Sequence, residues 1–542
     1  MIGEIGRKEI RDPFPSPPRK VEGDRRERAV ESSFATPGWG WLPLGPGLLV
    51  AVAATVALVL TGFDGLYGQD SFAYYHYATG SVRHALVQLQ PLPAFFWPPG
   101  YPLLVALVSW IVGSVPLAGQ LVSIIAGAAV PAFTVLLASE MVWEQDTAST
   151  RGNLERAVVP LIAGLVVAVT GQLLQSSIVV MADTFGLAAA TAGAWAIARY
   201  QRTGKGAWLA LAAGAFAWAT ITRWIYGLVA LPFAVWALIL LASHPRRRAF
   251  LHAAGAGAVA ALVLGPVLVP AIAGLHAGQN ATFAGDLQVY SWNPLNALRR
   301  AFTTSDGQLD YQLPNGLYYA IAPGSWWFLG PILAALIVPG VWAVLHRRVS
   351  ALVGVLLAWA AIVFAFHAGT PWQNPRFALA YLPPLAILIA IGVAELRAAG
   401  DLRIRRASVV LLVSGLALAA AGSVTLTDRF IERKQNDLAT VRWTEQLAPP
   451  HAQLLTFGLT ATFQQYGRLQ VVDLSEVGSS AIEQLLADGR PTLVLIDVSG
   501  VDRQWSGLPP SQNYQSLRDS PGLVRLGTRG SYTLFEVREA AR

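Results

Sequence analysis

Apolar runs of about 20 residues, the length that spans a bilayer, recur along most of the chain. They lie near 41–62, 116–139, 157–173, 183–200, 206–222, 224–243, 249–273, 326–345, 350–367, 376–395 and 407–426. Each predicts a membrane-crossing helix. The run 101–115 is shorter and follows Pro98 and Pro99, with Pro102 inside it. From residue 427 the pattern changes to short amphipathic units. Strands are predicted at 453–459, 469–474 and 492–498, a helix at 481–488, and a closing hairpin from 523–526 and 531–537. That alternation predicts a small α/β domain. Residues 1–36 show neither pattern. Eight basic and seven acidic side chains nearly cancel there, which predicts a disordered tail.

Charge decides how the runs are threaded. Lys and Arg concentrate on the cytoplasmic side of membrane proteins. If 101–115 stays in the interface, the clusters around Arg202, Arg247, Arg347 and Arg403 all face inward with the N-terminus. The inner segments then hold 22 Lys and Arg, and the outer loops before residue 427 hold five. The expected organisation is a cytoplasmic tail (1–40) and an eleven-span module (41–426) with outer loops at 63–115 and 274–325. An extracytoplasmic α/β domain (427–542) follows. This is a polytopic α-helical membrane protein with interfacial helices in the first outer loop.

Composition agrees. Of 542 residues, 54% are hydrophobic and only 13% charged, against about 25% charged in soluble domains. No cysteine is present, which excludes disulfides, thiolate metal sites and thiol catalysis. The net charge of +7 is explained by inward-facing topology signals, so no nucleic-acid partner is expected. Only four of the 39 basic residues are Lys, a bias that suits a GC-rich bacterial genome and an inner-membrane location.

The outer face carries the candidate chemistry. Asp70 follows the first span, and in a helix it shares a face with Tyr74 and Tyr77. It is either a general base near the interface or a helix cap. Trp97, Pro98, Pro99, Gly100 and Tyr101 follow as an abrupt helix start that walls this loop. A second carboxylate, Asp183, stands at the outer end of a span. A charge there is costly unless paired or wet, or else it caps the helix behind it. Arg83, Arg223, Arg299, Arg300 and Arg376 are the whole set of outer basic groups before the last domain. They are either phosphate ligands or snorkelling side chains. His367, near a turn at 369–371, belongs either to a polar site or to the packing. The long outer loop, with Tyr290, Trp292, Asn293, Tyr318 and Tyr319, suits sugar or lipid contact and equally suits an ordered cover over the membrane. No Walker A motif or dinucleotide fingerprint is present, and no His/Asp spacing demands a metal, although Asp70 and Asp183 would permit a divalent cation between them.

In order and topology these residues resemble the integral-membrane glycosyltransferases of the type C fold. The likeness is to bacterial protein O-mannosyltransferase-like enzymes and lipid A aminoarabinose transferases. It rests on Asp70 with Tyr74 and Tyr77; Trp97 through Tyr101; Met181 and Asp183; Thr222 and Arg223; Arg376 and Phe377; and Pro383 and Pro384. It covers roughly residues 41–430. The resemblance implies inverting transfer of a sugar from a polyprenyl-phosphate donor to a lipid, polysaccharide or protein acceptor outside the membrane. Asp70 takes the place of the family's catalytic carboxylate and Asp183 that of its second acidic position. Arg223, Arg376 and Arg83 are then donor-phosphate ligands, and Tyr74, Tyr77, Trp97, Tyr101 and His367 substrate contacts. Some relatives carry a Lys just before the paired prolines. Here that position is Trp97, so an arginine must supply the charge. The competing expectation is a transporter or lipid flippase, which calls for charges near the midplane and for repeat symmetry. No internal repeat of 20–50 residues is found. A non-catalytic membrane scaffold displaying the last domain is a second competing expectation.

Overall fold

A chain that enters lipid must satisfy its backbone hydrogen bonds within each segment, and helices dominate this one. A computed structural model describes residues 42–143, 152–276, 291–346, 350–487, 489–519 and 522–537. The expected N-terminal tail, most of the cluster around Arg347 and the start of the long outer loop, with Tyr290, lie outside the described residues.

Among the described residues, seven helical segments are long and apolar enough to cross a membrane: Leu44–Thr61, Leu117–Met141, Ile225–Ala242, Arg246–Pro270, Ala351–Gly369, Pro375–Ala398 and Leu402–Leu447. The run at 157–173 becomes a bent pair, Val158–Ala168 and Gly171–Ile178, with a 60° turn between them. The remaining three predicted spans are helical but differ in kind. Gly206–Thr222 is short, and 326–345 forms Gly330–Ala335 and Ile337–His346. Asp183–Thr203 carries Arg199, Gln201 and Arg202 and is mostly buried against other helices. A helix whose neighbours are protein rather than lipid needs no continuous apolar surface. Gly100–Val112 has 13 residues; at 1.5 Å per residue it rises about 20 Å, short of the ~30 Å hydrocarbon core.

The first loop is built as a unit. Helix Gly68–His76 runs into a π-turn at Tyr77–Val82 and on into Arg83–Gln88. The buried amide of Gln120 holds it down, donating to the carbonyls of Phe63 (3.0 Å) and Ile178 (3.2 Å). The Gly65 carbonyl accepts from the Val180 amide at 3.0 Å. These bonds tie the segment carrying Asp70 to the segment leading to Asp183.

The helix Leu402–Leu447 has 46 residues, about 69 Å at the standard rise. Its apolar part belongs to the helical bundle, and Val441 packs into a sheet beyond it. That sheet has five strands: β3 (Gln453–Thr456), β4 (Gln470–Asp473), β5 (Thr492–Ile496), β6 (Leu523–Arg529) and β7 (Tyr532–Val537), numbered after a small hairpin of β1 (Ala301–Thr304) and β2 (Gly307–Asp310). The order is β4-β3-β5-β7-β6. β3 is parallel to β4 and β5, whereas β7 is antiparallel to β5 and β6. Every residue of β5 is buried, as its unbroken apolar sequence requires when both faces are covered.

A buried ion pair joins this sheet unit to the first loop. Lys434, 5% exposed, pairs with Asp64 and donates to the Tyr466 hydroxyl at 2.8 Å, and that hydroxyl donates to Asp64 at 2.5 Å. The Lys434 side chain is 7% exposed and that of Asp64 34%, so losing Asp64 strands a buried charge, whereas losing Lys434 leaves a carboxylate that reaches water. Asp64→Ala is expected to destabilise the protein by about 1–3 kcal/mol, more than Lys434→Met does. Thermal unfolding midpoints of the two variants in detergent check this order.

Candidate functional site

The site begins with Asp70 at the third position of its helix. That helix is not capped by Asp70: Ser71 accepts the Tyr67 amide at 2.7 Å instead. The Asp70 carboxylate is therefore available, and Arg376 donates to it at 2.8 Å. Arg376 is positioned by its own local sequence. Asn374 accepts the Arg376 amide at 3.0 Å and Pro375 starts a 3-10 turn, so the side chain leaves just ahead of a span.

Asp183 opens its helix and likewise caps nothing. Its side chain, 6% exposed, lies 2.8 Å from Arg223 Nη2 and 3.5 Å from Arg376 Nε. Arg223 sits where the helix Gly206–Thr222 gives way to extended backbone. The result is an alternating chain, Asp70–Arg376–Asp183–Arg223, assembled from four distant parts of the sequence. Arg376 also donates to Met181 Sδ at 2.6 Å. Its charges cancel, which is how such groups tolerate burial. Arg223 is the end whose guanidinium borders open space.

That space is an open cleft lined by Tyr74, Trp97, Pro98, Arg223, Trp224, Ile225, Phe366, His367, Thr370, Trp372 and Phe377. Its walls are stacked rings. Tyr74 lies against Trp97 (centroids 5.0 Å, 27°), and His367 against Phe377 (5.0 Å, 13°). Burial raises the Tyr74 phenol far above its ordinary range, so it stays protonated. Gly100 makes the close approach possible: a Cβ there would come within 2.6 Å of Thr222 Oγ1 and 2.7 Å of the Ile221 carbonyl. The paired prolines thus dock directly beside Arg223.

The other expected contacts are placed differently. Tyr101 is fully buried behind Tyr74, bonding to Ser123 (2.9 Å) and to the Gly119 carbonyl (3.0 Å). Tyr77 stacks on Phe95 at 3.9 Å and donates to the Pro93 carbonyl; burial pushes its phenol up to about 12. Neither lines the cleft. They support Tyr74 and the loop around it. Arg83 bonds to Ser114 and takes no part in the Asp–Arg chain. Asp70 and Asp183 flank the cleft without lining it.

Sequence reasoning did not single out Trp224, Trp372 or Thr370. The two tryptophans lie one and four residues from the chosen arginines, which was the available signal. Trp372 is held by Asp306, in the β1–β2 turn, at 2.8 Å, and the carbonyl of Asp306 accepts from Gln504 of the sheet unit at 2.8 Å. The cleft rim is thus connected to the C-terminal sheet through one turn.

No family model and no curated protein matches this sequence. The fold does match. A crystal structure of ArnT from Cupriavidus metallidurans bound to undecaprenyl phosphate aligns with a TM-score of 0.59 at 13% identity, covering 90% of this chain and 97% of that one. The apo structure of the same protein gives 0.58 at 13% identity, with the same coverage. The likeness establishes the architecture, a polytopic membrane protein of the type C fold that the motifs led us to expect.

The two carboxylates differ in what their loss strands. Asp183→Ala takes the buried carboxylate away from Arg223 and leaves Arg376 only Asp70, and breaking a buried pair this way costs about 3–5 kcal/mol. Asp70, 29% exposed at its side chain, should cost about 1 kcal/mol or less when replaced by Ala. Unfolding midpoints of both variants, measured side by side, check the difference.

Proposed function

We propose that this protein transfers a sugar from a polyprenyl-phosphate donor to an acceptor hydroxyl at the outer face of a bacterial inner membrane, inverting the anomeric centre. The observation that carries the reading is the Asp70–Arg376–Asp183–Arg223 chain at the mouth of an aromatic cleft. Every member sits at a helix end or in a loop. That placement favours chemistry at a membrane surface over transport through the midplane. The structure of the same fold described above contains undecaprenyl phosphate, a lipid of the donor class proposed here.

In this reading the eleven segments cross with the N-terminus inside. The ends bearing Asp183, Arg223 and Arg376 then share the outer face with the 63–115 loop, and the sheet unit lies outside. Gly100–Val112 rests in the interface. The donor's chain stays in lipid and its phosphate meets the arginines at the surface.

Chemically, Asp70 accepts the proton of the acceptor hydroxyl as that oxygen bonds to the anomeric carbon. The bond from that carbon to the phosphate oxygen breaks, and its electron pair leaves on the phosphate. Arg223 and Arg376 stabilise the charge that develops there. Arg376 has a second task. It holds Asp70 in the free protein, and a phosphate competes for the same guanidinium. Donor arrival therefore releases the base. Asp183 positions both arginines, being ion-paired with each.

Asp70→Asn should lower transfer by about a thousandfold, within the range for general-base assistance, while folding and donor binding persist. Arg223→Ala and Arg376→Ala should mainly weaken use of phosphate-linked donors. A panel of labelled polyprenyl-phosphate sugars, with products identified by mass spectrometry, reads all three. Near-normal turnover by the Asn variant would remove Asp70 from the mechanism.

A further inference from the structure

The cleft has an electrostatic character that its aromatic lining conceals. Among the described residues no carboxylate lines it, and the one arginine that does is Arg223. The nearby carboxylates turn away from it: Asp183 is held by Arg223 and Arg376, and Asp70 by Arg376. We propose that the cleft takes the glycosyl group of the donor and discriminates by charge, accepting a neutral sugar and rejecting one that carries an amine. The proposal rests on the transfer reading above and goes further by naming the class of sugar.

Aromatic walls by themselves would favour a cation, because ring faces are electron-rich. Here that attraction is already spent. The Phe377 ring has the Arg223 guanidinium at 5.8 Å and that of Arg376 at 5.5 Å. A third cation entering the cleft would meet Arg223 as the one charged side chain of its lining among the described residues. It would find no carboxylate on the walls to offset the loss of its hydration.

A hydroxyl-bearing ring meets the opposite conditions. His367 is only 6% exposed, and its Nδ1 has no hydrogen-bond partner among the described residues. A buried polar atom of this kind favours a ligand that can pair with it. The rings of Trp97 and Trp372 supply apolar faces for the carbon skeleton. The donor phosphate lies toward Arg223, whose charge then assists the leaving group and excludes an amine at once.

The test uses the full chain in lipid nanodiscs and two synthetic polyprenyl-phosphate pentoses that differ only by a hydroxyl or an amine at one ring carbon. Calorimetry at neutral pH should show the hydroxyl donor binding at least about tenfold more tightly. Trp372→Glu places a carboxylate on the wall and should narrow or invert that gap, whereas Trp372→Gln should preserve it. Equal or tighter binding of the amine by the native protein overturns the proposal, as does failure of both donors to bind or a gap unchanged by Trp372→Glu. Product formation is read separately. Selective binding without transfer would remove the proposed activity and leave the charge discrimination standing.

Discussion

Arg376 is the contact on which the site depends. Its guanidinium reaches the Asp70 carboxylate at 2.8 Å and the Asp183 carboxylate at 3.5 Å, and so joins the first loop to the middle of the chain. Two carboxylates brought this close would repel each other and favour protonation of one. An arginine between them offsets that repulsion. The planar fork of arginine suits this better than the single charged point of lysine. In the proposed reaction these carboxylates are partners that an arriving phosphate replaces, so the arrangement that stabilises the resting protein would also ready it for an anion.

The scaffold around this bridge is made of helix ends. Asp183 begins a helix, Arg223 follows one, Arg376 precedes one, and Asp70 occupies a first turn. Backbone groups are unsatisfied at helix ends, and water and polar ligands collect there. Gln120 and the Gly65–Val180 bond keep the first two segments in register. Gly100 lets the proline pair reach Thr222 and the start of Arg223. The sheet unit completes the frame at two places. Lys434, Asp64 and Tyr466 fasten it below the first loop, and Asp306 fastens it to Trp372 at the cleft rim. Contacts at both outer loops mean that whatever displaces the sheet unit also moves the cleft walls.

Much of this was legible in the chain. Hydropathy located the apolar helices, because lipid imposes a length and a composition that stand out in any window. It located Asp183–Thr203, 206–222 and 326–345 as helical too, and these are polar at one end, short and broken, respectively. In the last 116 residues the buried strands stood out, and β5 most clearly. Three short helices, Thr460–Tyr466, Val498–Gln504 and Pro509–Arg518, did not, having too few turns to show a period. The cap alternative for Asp70 and Asp183 gave way to ion pairs with arginines far along the chain.

The sequence by itself determined that this chain lives in a membrane, that a smaller α/β unit follows the apolar part, and that charged side chains are scarce in that apolar part. Those are one-dimensional properties, set by solvent and by the periodicity of local structure. Only the tertiary structure decided which of those scarce charges meet. Asp70 and Arg376 are 306 positions apart, and no local rule relates them. It also separated Trp97, Tyr74 and His367, which line the cleft, from Tyr77 and Tyr101, which stand behind it. The two groups have the same residue chemistry, and whether an aromatic ring meets ligand or protein depends on what packs against its other face.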